Sequence, residues 1–339
     1  MNTETPNTPI TSAPQVAVVM RTKNRNLLLH RALASVLFQT LSTWHLYLVN
    51  DGGDQTALDT MLEPYRPLFG NKITVLHHAT SKGMEAASNA ALALVSEDFF
   101  VIHDDDDSWH PDFLKYSVDF LTKPQNIRFL AVTTGTILVE EEIQNNLVFE
   151  HSRVEWAANR ETIDFTKILY VNLFPPISLL MRSSLLQSIG LYNTALPVLG
   201  DWDYNLRIMT QGDIGFINNN LAFYHRRVAG APSAYNNTVT TQLDQHQLYN
   251  TLLRNQWLRD SLQHSPHLFG LMQGLIFASG SPATHQQHNI EGLLHQINQR
   301  LERVEITSAW VHKLLRPVHK IWHIALPARR IVAKIRGRA

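Results

Sequence analysis

Four aspartates in a row, Asp104 to Asp107, follow the apolar run Phe99 to Ile102 and His103, and precede Trp109 and Pro111. A short apolar run bounded by polar turn residues reads as a buried strand. The carboxylates therefore emerge together at its carboxyl end. Side by side they repel one another, a cost that a solvated acidic turn tolerates and that a folded site must offset. A hard cation such as Mg²⁺ or Mn²⁺, which prefers carboxylate oxygen, would offset it. The carboxyl edge of an open α/β sheet is also where ligands bind. The run thus calls for a sheet with this strand inside it and a ligand-bearing edge beyond it.

The preceding residues supply such a sheet. Val16 to Met20 reads as a buried parallel strand, with Asn24 as the cap of a helix whose apolar positions Leu28, Leu29, Ala32, Leu33, Val36 and Leu37 recur at helical spacing. His45 to Val49 is a second strand, ended by the turn Asn50-Asp51-Gly52-Gly53. A helix over 56–66, a strand Ile73 to Leu76 and an Ala-rich helix over 84–95 lead into the strand before the aspartates. This alternation predicts a mostly parallel α/β sheet with the loops 21–25, 50–54, 80–84 and 103–108 along one edge. Farther on, Phe129 to Thr133, Ile137 to Val139 and Ile177 to Met181 read as strands. Gly200 to Met209 reads as a loop entering a helix, and Ile214 to Phe223 as a further strand.

Asp51 follows a strand beside two glycines that permit close backbone approach, so its carboxylate suits a nucleobase or ribose; a plain turn aspartate is the alternative. Arg21, Lys23 and Lys82 add positive charge at the same edge, suited to phosphate and also ordinary on a surface. A metal at Asp104 to Asp107 bridging two phosphates would act as a Lewis acid toward a departing diphosphate.

The segments Val16 to Arg25, Ala34 to Thr40 and Val49 to Gly53, and then the Asp cluster with Trp109 and Pro111, together resemble the family 2 glycosyltransferases of GT-A fold. The likeness is continuous over about 15–115 and weaker to about 230. It implies a GT-A, Rossmann-like fold with a helical C-terminal extension. It also implies transfer of a sugar from a nucleotide-diphosphate donor, with inversion, using Mn²⁺ or Mg²⁺ held by a D-x-D motif. Carried over, Thr22 and Asp51 match the nucleoside pocket, and Asn24, Arg25 and Lys82 join them as donor-binding residues. Asp104 and Asp106 match the D-x-D pair, Asp106 as the direct metal ligand, while Asp105 is an alternative partner for the ribose. Asp201, in Leu199 to Arg207, matches the catalytic base, with Asp203 in reserve and a simple helix cap as the alternative. His225 is expected as a further metal ligand, and Arg226 or Arg227 as a phosphate clamp. The chain departs from the family at Arg21 and Lys23 (usually Pro and Tyr), Gly53 (usually Ser), Ser88 (often Arg) and Gly200 (usually Glu).

The expected organisation is a flexible leader over 1–14 and a transferase domain over 15–235. In that domain residues 15–115 bind the donor and 116–235 the acceptor. A helical extension covers 236–312 and a basic amphipathic tail 313–339. No segment reads as a signal peptide or membrane span, so a cytoplasmic enzyme is expected, peripheral on the inner face of the membrane. Eight of the 29 Lys and Arg fall in residues 313–339, which hold no Asp or Glu, leaving 21 against 29 acidic residues elsewhere. Such a tail suits an anionic membrane surface or docking on an acidic body. The acceptor is expected to be a glycan or lipid-linked glycan in cell-surface polysaccharide assembly, and no nucleic-acid partner is expected. Ile290, Leu294, Ile297, Leu301 and Val304 form a short heptad seam compatible with a homodimer. The alternative functions are a nucleotidyltransferase, disfavoured by the glycine-free loop Arg21 to Arg25, and a non-catalytic GT-A-like binding or scaffold protein.

Overall fold

The computed structural model describes residues 15–156, 162–227 and 243–266, together with Ala13, Tyr235, Phe269, Gly270 and Gln273. It separates into two compact units, residues 1–257 and 258–339, and the central sheet with its flanking helices belongs to the first. The leader 1–12, the heptad seam and the basic tail lie outside the described residues.

A nine-stranded sheet forms the centre, in the order β3-β2-β1-β4-β8-β6-β9-β5 with β7 added on β6. Its first half is parallel: β1 (Val16–Thr22) lies between β2 (Trp44–Asp51) and β4 (Phe99–Asp104), and β3 (Ile73–His78) flanks β2. Past β4 the directions mix. The strand β8 (Leu179–Arg182) is antiparallel to β4 and to β6 (Phe129–Gln144), whereas β9 (Asp213–Arg227) is parallel to β6. The two-residue β5 (Ser108–Trp109) closes on β9, and β7 (Leu147–Glu155) forms a hairpin with β6.

The inner parallel strands β1 and β4 are apolar up to their last two residues because both faces are covered. Val16, Val18 and Met20 of β1 pack in one core with Leu29, Leu33 and Val36 of α1 (Asn26–Leu37) and Phe113, Leu114 and Val118 of α5 (Phe113–Thr122). Ala17 and Val19 face the other core, with Ala87 and Ala91 of α4 (Met84–Leu92) and Trp202 and Leu206 of α8 (Gly200–Met209). Each fully buried aliphatic side chain contributes roughly 1.5–3 kcal/mol. The last described helix, α9 (Leu243–His264), places Leu253 in the second core and Arg254 over the Trp202 ring.

Several local expectations change. The helix over 56–66 is two pieces, α2 (Gln55–Leu62) and a single turn α3 (Arg66–Phe69) with Pro67 in its first turn. Phe129 to Val139 is one continuous strand, and Tyr224 to Arg227 lie on β9 instead of after it. Gly200 already begins the α8 helix. Asn24 does not cap α1: it has a positive φ of 55°, and its Oδ1 accepts instead from the Asp54 backbone N–H at 2.8 Å, tying the β1 loop to the β2 loop. Two further helices, α6 (Phe165–Tyr170) and α7 (Ser184–Ser188), complete the second face. No helix among the described residues is long and apolar enough to cross a membrane.

Candidate active site

The ends of β1, β2 and β4 meet at the carboxyl edge around a cavity of about 510 Å³. One wall is Arg21, Thr22, Asn24 and Arg25, leaving β1; a second is Asp51 with Ser81, Gly83, Met84 and Ala87. Asp104, Asp105 and Asp106 form a third, with Tyr224 across from β9. The donor-binding and metal-binding residues expected from β1, β2 and β4 thus converge on one space.

Asp51, the last residue of β2, is buried and organises the neighbouring loop. Its carboxylate accepts from His78 Nδ1 at 2.8 Å, Ser81 Oγ at 2.7 Å, and the backbone N–H groups of Lys82 at 2.8 Å and Gly83 at 3.0 Å. Burial alone would raise its pKa, but these four donors overcome that and hold it below the usual carboxylate range. Gly52 makes the close approach possible: its φ is +74°, and a Cβ there would overlap the Ser81 backbone and come within 2.6 Å of the Thr80 carbonyl carbon.

The four aspartates have four different environments. Asp104 Oδ1 pairs with Arg21 at 2.9 Å. Asp105 pairs with Arg25 at 3.3 Å; burial lifts its pKa to about 6 against the pull of Arg25, helped by the neighbouring Asp106 charge. Asp106 Oδ2 takes Arg25 at 3.1 Å and also the fully buried Arg227, so its pKa is low despite burial. Asp107 is fully buried and accepts from the His225 backbone N–H at 2.8 Å. Burial and the Asp106 and Asp104 charges push its pKa well above that of a normal carboxylate. His103 and Trp109 anchor the turn from behind. His103 bridges Ser35 Oγ at 3.0 Å and the Asp104 carbonyl at 2.8 Å, and burial keeps it neutral by lowering its pKa to about 4. The Trp109 indole N–H donates to the Ile177 carbonyl at 2.7 Å.

Behind the turn lies an ion network supplied by β6 and β9. Parallel pairing sets Glu140 against Arg226 and Glu141 against Arg227. Glu141, 1% exposed, accepts from Arg31 Nη1 at 2.7 Å, faces His225 Nδ1 at 3.0 Å, and accepts from Arg227 Nη1 at 3.4 Å. Burial opposes its charge, yet His225 and Arg31 pull its pKa down to about 2. Arg31 also donates to the Asp106 carbonyl.

Asp201 stands in the first turn of α8, where the helix dipole favours a negative charge. It accepts from Asn172 Nδ2 at 2.7 Å. Burial nevertheless dominates and raises its pKa, while its Trp202 backbone N–H and Arg21 pull the other way. Arg21 is paired with Asp104, and its charge also favours the ionised form of Asp201.

Other expected site residues sit elsewhere. His225 has both ring nitrogens engaged, Nδ1 with Glu141 and Nε2 with Ser108 Oγ at 2.9 Å, and lines a second cavity of about 310 Å³ with Arg31 and Arg153. Arg226 pairs with Glu140 across the strands, and Lys82 contributes its backbone N–H. Asp203 pairs with Arg207 at 3.0 Å, one turn along α8. Sequence reading passed over Arg31, Glu85 and Glu141, although a signal existed for two of them. Glu141 shares the inward face of β6 with Val139 and Ile143, and Glu85 shares the buried face of α4 with Ser88 and Leu92.

Among the described residues no group of three His, Cys, Asp or Glu side chains stands ready to hold a metal alone. Asp104 and Asp106 do give two hard oxygen donors on one wall, a set that a bound diphosphate would complete around a small divalent ion. Asp105 Oδ2 and Thr22 Oγ1, on residues lining the same cavity, are buried without a hydrogen-bond partner. The residues present therefore fit a divalent ion bound together with a phosphorylated ligand.

A family profile described as Glycosyl transferase family 2 matches residues 17–188, half of the chain. A PGL/p-HBAD biosynthesis glycosyltransferase of Mycobacterium bovis is 24% identical over 196 residues, covering 58% of this chain and 70% of its own. The uncharacterized glycosyltransferase YwdF of Bacillus subtilis is 25% identical over 193 residues, covering 57% and 67%. Among solved structures, Staphylococcus aureus TarS 1-349 in complex with UDP-GlcNAc superposes with a TM-score of 0.52 at 16% identity, covering 63% of this chain and 59% of that one. Its complex with UDP gives 0.51 at 15%, covering 62% and 60%. The chain thus spans about three fifths of those structures, and the likeness establishes the GT-A fold.

Proposed function

The chain belongs to the family 2 glycosyltransferases, and from that premise we propose an inverting transferase of hexosyltransferase type. It would move a sugar from a nucleotide-diphosphate donor to a hydroxyl of a glycan or lipid-linked glycan in cell-surface polysaccharide assembly. The observation that carries this reading is the convergence of Thr22, Arg25, Asp51 and Asp104 to Asp106 on one cavity at the carboxyl edge of the sheet. Asp51 and the β1 loop would receive the nucleoside, and Arg25 would face the diphosphate beside Asp104 and Asp106. These two aspartates would hold Mn²⁺ or Mg²⁺, which would supply Lewis-acid neutralisation of the departing diphosphate. Asp201 would take the proton of the acceptor hydroxyl as that oxygen attacks the anomeric carbon from the side opposite the leaving group. Such an attack inverts the configuration. A base with a raised proton affinity suits that task. Separately, the eight basic residues of 313–339 would bring the enzyme to an anionic membrane surface where lipid-linked acceptors reside.

Titration calorimetry with UDP-, GDP- and dTDP-sugars in the presence of Mn²⁺ tests the donor reading. A dissociation constant between about 1 μM and 1 mM is expected for one donor class, and no binding to any member of the panel would refute it. Comparing the full chain with a chain ending at residue 312 on anionic vesicles tests the tail.

A further inference from the structure

The acidic turn is gripped from behind at three successive residues, and all three grips end on one side chain, Glu141. Arg31 of α1 donates from Nη2 to the Asp106 carbonyl and lays its fork on Glu141, at 2.7 Å to Oε2 and 3.1 Å to Oε1. Arg227 of β9 donates to Asp106 Oδ2 and reaches Glu141 Oε1 at 3.4 Å. His225 donates its backbone N–H to Asp107 Oδ1 at 2.8 Å and meets Ser108 Oγ through Nε2 at 2.9 Å, while its Nδ1 stands 3.0 Å from Glu141 Oε2. An ionised carboxylate only accepts, so Nδ1 carries the proton toward Glu141, and in the neutral ring Nε2 accepts from Ser108. Glu141 comes from the inward face of β6, beside Val139 and Ile143, where water does not compete for these bonds.

We propose that Glu141 is a positioning residue for the divalent ion of the donor site: it locks Arg31 and Arg227 as two clamps on Asp106, one on the carbonyl and one on the carboxylate. The role rests on the metal-dependent transferase reading proposed for this site. Both cations on the Asp106 carboxylate, Arg25 and Arg227, fall on Oδ2, which leaves Oδ1 for the ion. Neither clamp holds its place unaided. Arg31 is partly exposed, and a long side chain there samples many rotamers. Arg227 has no exposed side-chain surface, so its charge needs a second anion besides Asp106. Glu141 answers both needs, with a two-point bond to Arg31 and a counter-charge to Arg227. A side chain that orients a metal ligand in this way tunes affinity without touching the ion. Glutamine keeps the shape of Glu141 but turns an NH₂ group toward donors that need an acceptor.

Mn²⁺ held by the protein in the presence of UDP, GDP or dTDP is measured from the electron paramagnetic resonance of free Mn²⁺, against a blank with nucleotide alone. Wild type should hold Mn²⁺ with one of the three; no uptake with any of them overturns the donor reading and this role with it. Given uptake, Glu141→Gln should weaken Mn²⁺ binding by roughly 10–100-fold. Arg31→Gln should weaken it by about tenfold, although it deletes a positive charge; charge alone would tighten Mn²⁺ instead. Leu121→Ala opens a cavity in the core under α5 and destabilises the fold without touching the turn, so Mn²⁺ affinity should stay at the wild-type value. Wild-type affinity in Glu141→Gln would overturn the role, as would an equal loss of affinity in Leu121→Ala. Unchanged or tighter Mn²⁺ in Arg31→Gln would overturn it too. This last outcome is readable even if Glu141→Gln folds poorly, because Glu141 keeps Arg227 and His225 when Arg31 is lost.

Discussion

Replacing Glu141 by Gln removes one charge from the network behind the acidic turn and keeps the shape. A carboxylate held at about 2 in the fold and near 4.5 when unfolded contributes about 3 kcal/mol at neutral pH. Breaking a buried ion pair by removing one partner costs roughly 3–5 kcal/mol, and Arg227 would be left with no exposed side-chain surface. The lower figure is the better guide, since Arg227 keeps Asp106 and the His225 carbonyl. Because the folded pKa is depressed, the contribution is complete above the unfolded value of 4.5 and disappears as pH falls toward 2. By pH 3.5 about 1.4 kcal/mol of it should be gone. Urea unfolding of wild type and Glu141→Gln at pH 7 and pH 3.5 measures this directly. With a slope of about 3 kcal/mol per M for a domain this size, the neutral midpoints should differ by about 1 M. A gap below about 0.3 M, or one that does not narrow on acidification, would refute the assignment of Glu141 as the charged centre.

Asp201→Asn should cost roughly 10²–10⁴ in kcat with donor affinity retained, as calorimetry and steady-state rates together will show; full turnover would remove Asp201 as the base. Gly52→Ala should destabilise by about 2 kcal/mol or more, read by thermal unfolding, because L residues are strained at its φ of +74° and the new Cβ meets the Ser81 backbone. Chelation by EDTA should abolish donor turnover, with Mn²⁺ or Mg²⁺ restoring it. The apo protein should keep nearly all its melting temperature, since Arg21, Arg25 and Arg227 already compensate Asp104 and Asp106.

The parallel half of the fold was legible because its signals are local. Val16 to Met20 and Phe99 to Ile102 must be buried on both faces, so they can only be inner strands, and the residues that leave them must lie at the carboxyl edge. Asp51 and Asp104 to Asp107 were placed at that edge for that reason, and Thr22 was added by the likeness to the family. The mixed half was harder to read. Phe129 to Gln144 is a single strand whose ends bind different partners, and its Glu residues gain meaning only from the strands that pair with them. Asn24 resembled a cap, yet its side chain crosses to Asp54, a loop contact that no helix pattern announces.

The sequence alone determined that an acidic run would end an inner strand, that glycine would permit close approach after β2, and that Asp201 would begin a helix. The first two come from periodicity and from the chemistry of each side chain by itself, and the third from the likeness of Leu199 to Arg207 to the family. Tertiary structure alone decided the electrostatic environment of each carboxylate, because that depends on which cation lies within a few ångströms in a region of low polarizability. Arg227 reaches Asp106, Arg31 reaches Glu141, and Glu85 fills the space at Gly200. Each of these pairings joins residues far apart in the chain. Four identical side chains in a row thereby become an ion pair with Arg21, an acid of raised pKa, a doubly compensated anion and a buried strand anchor.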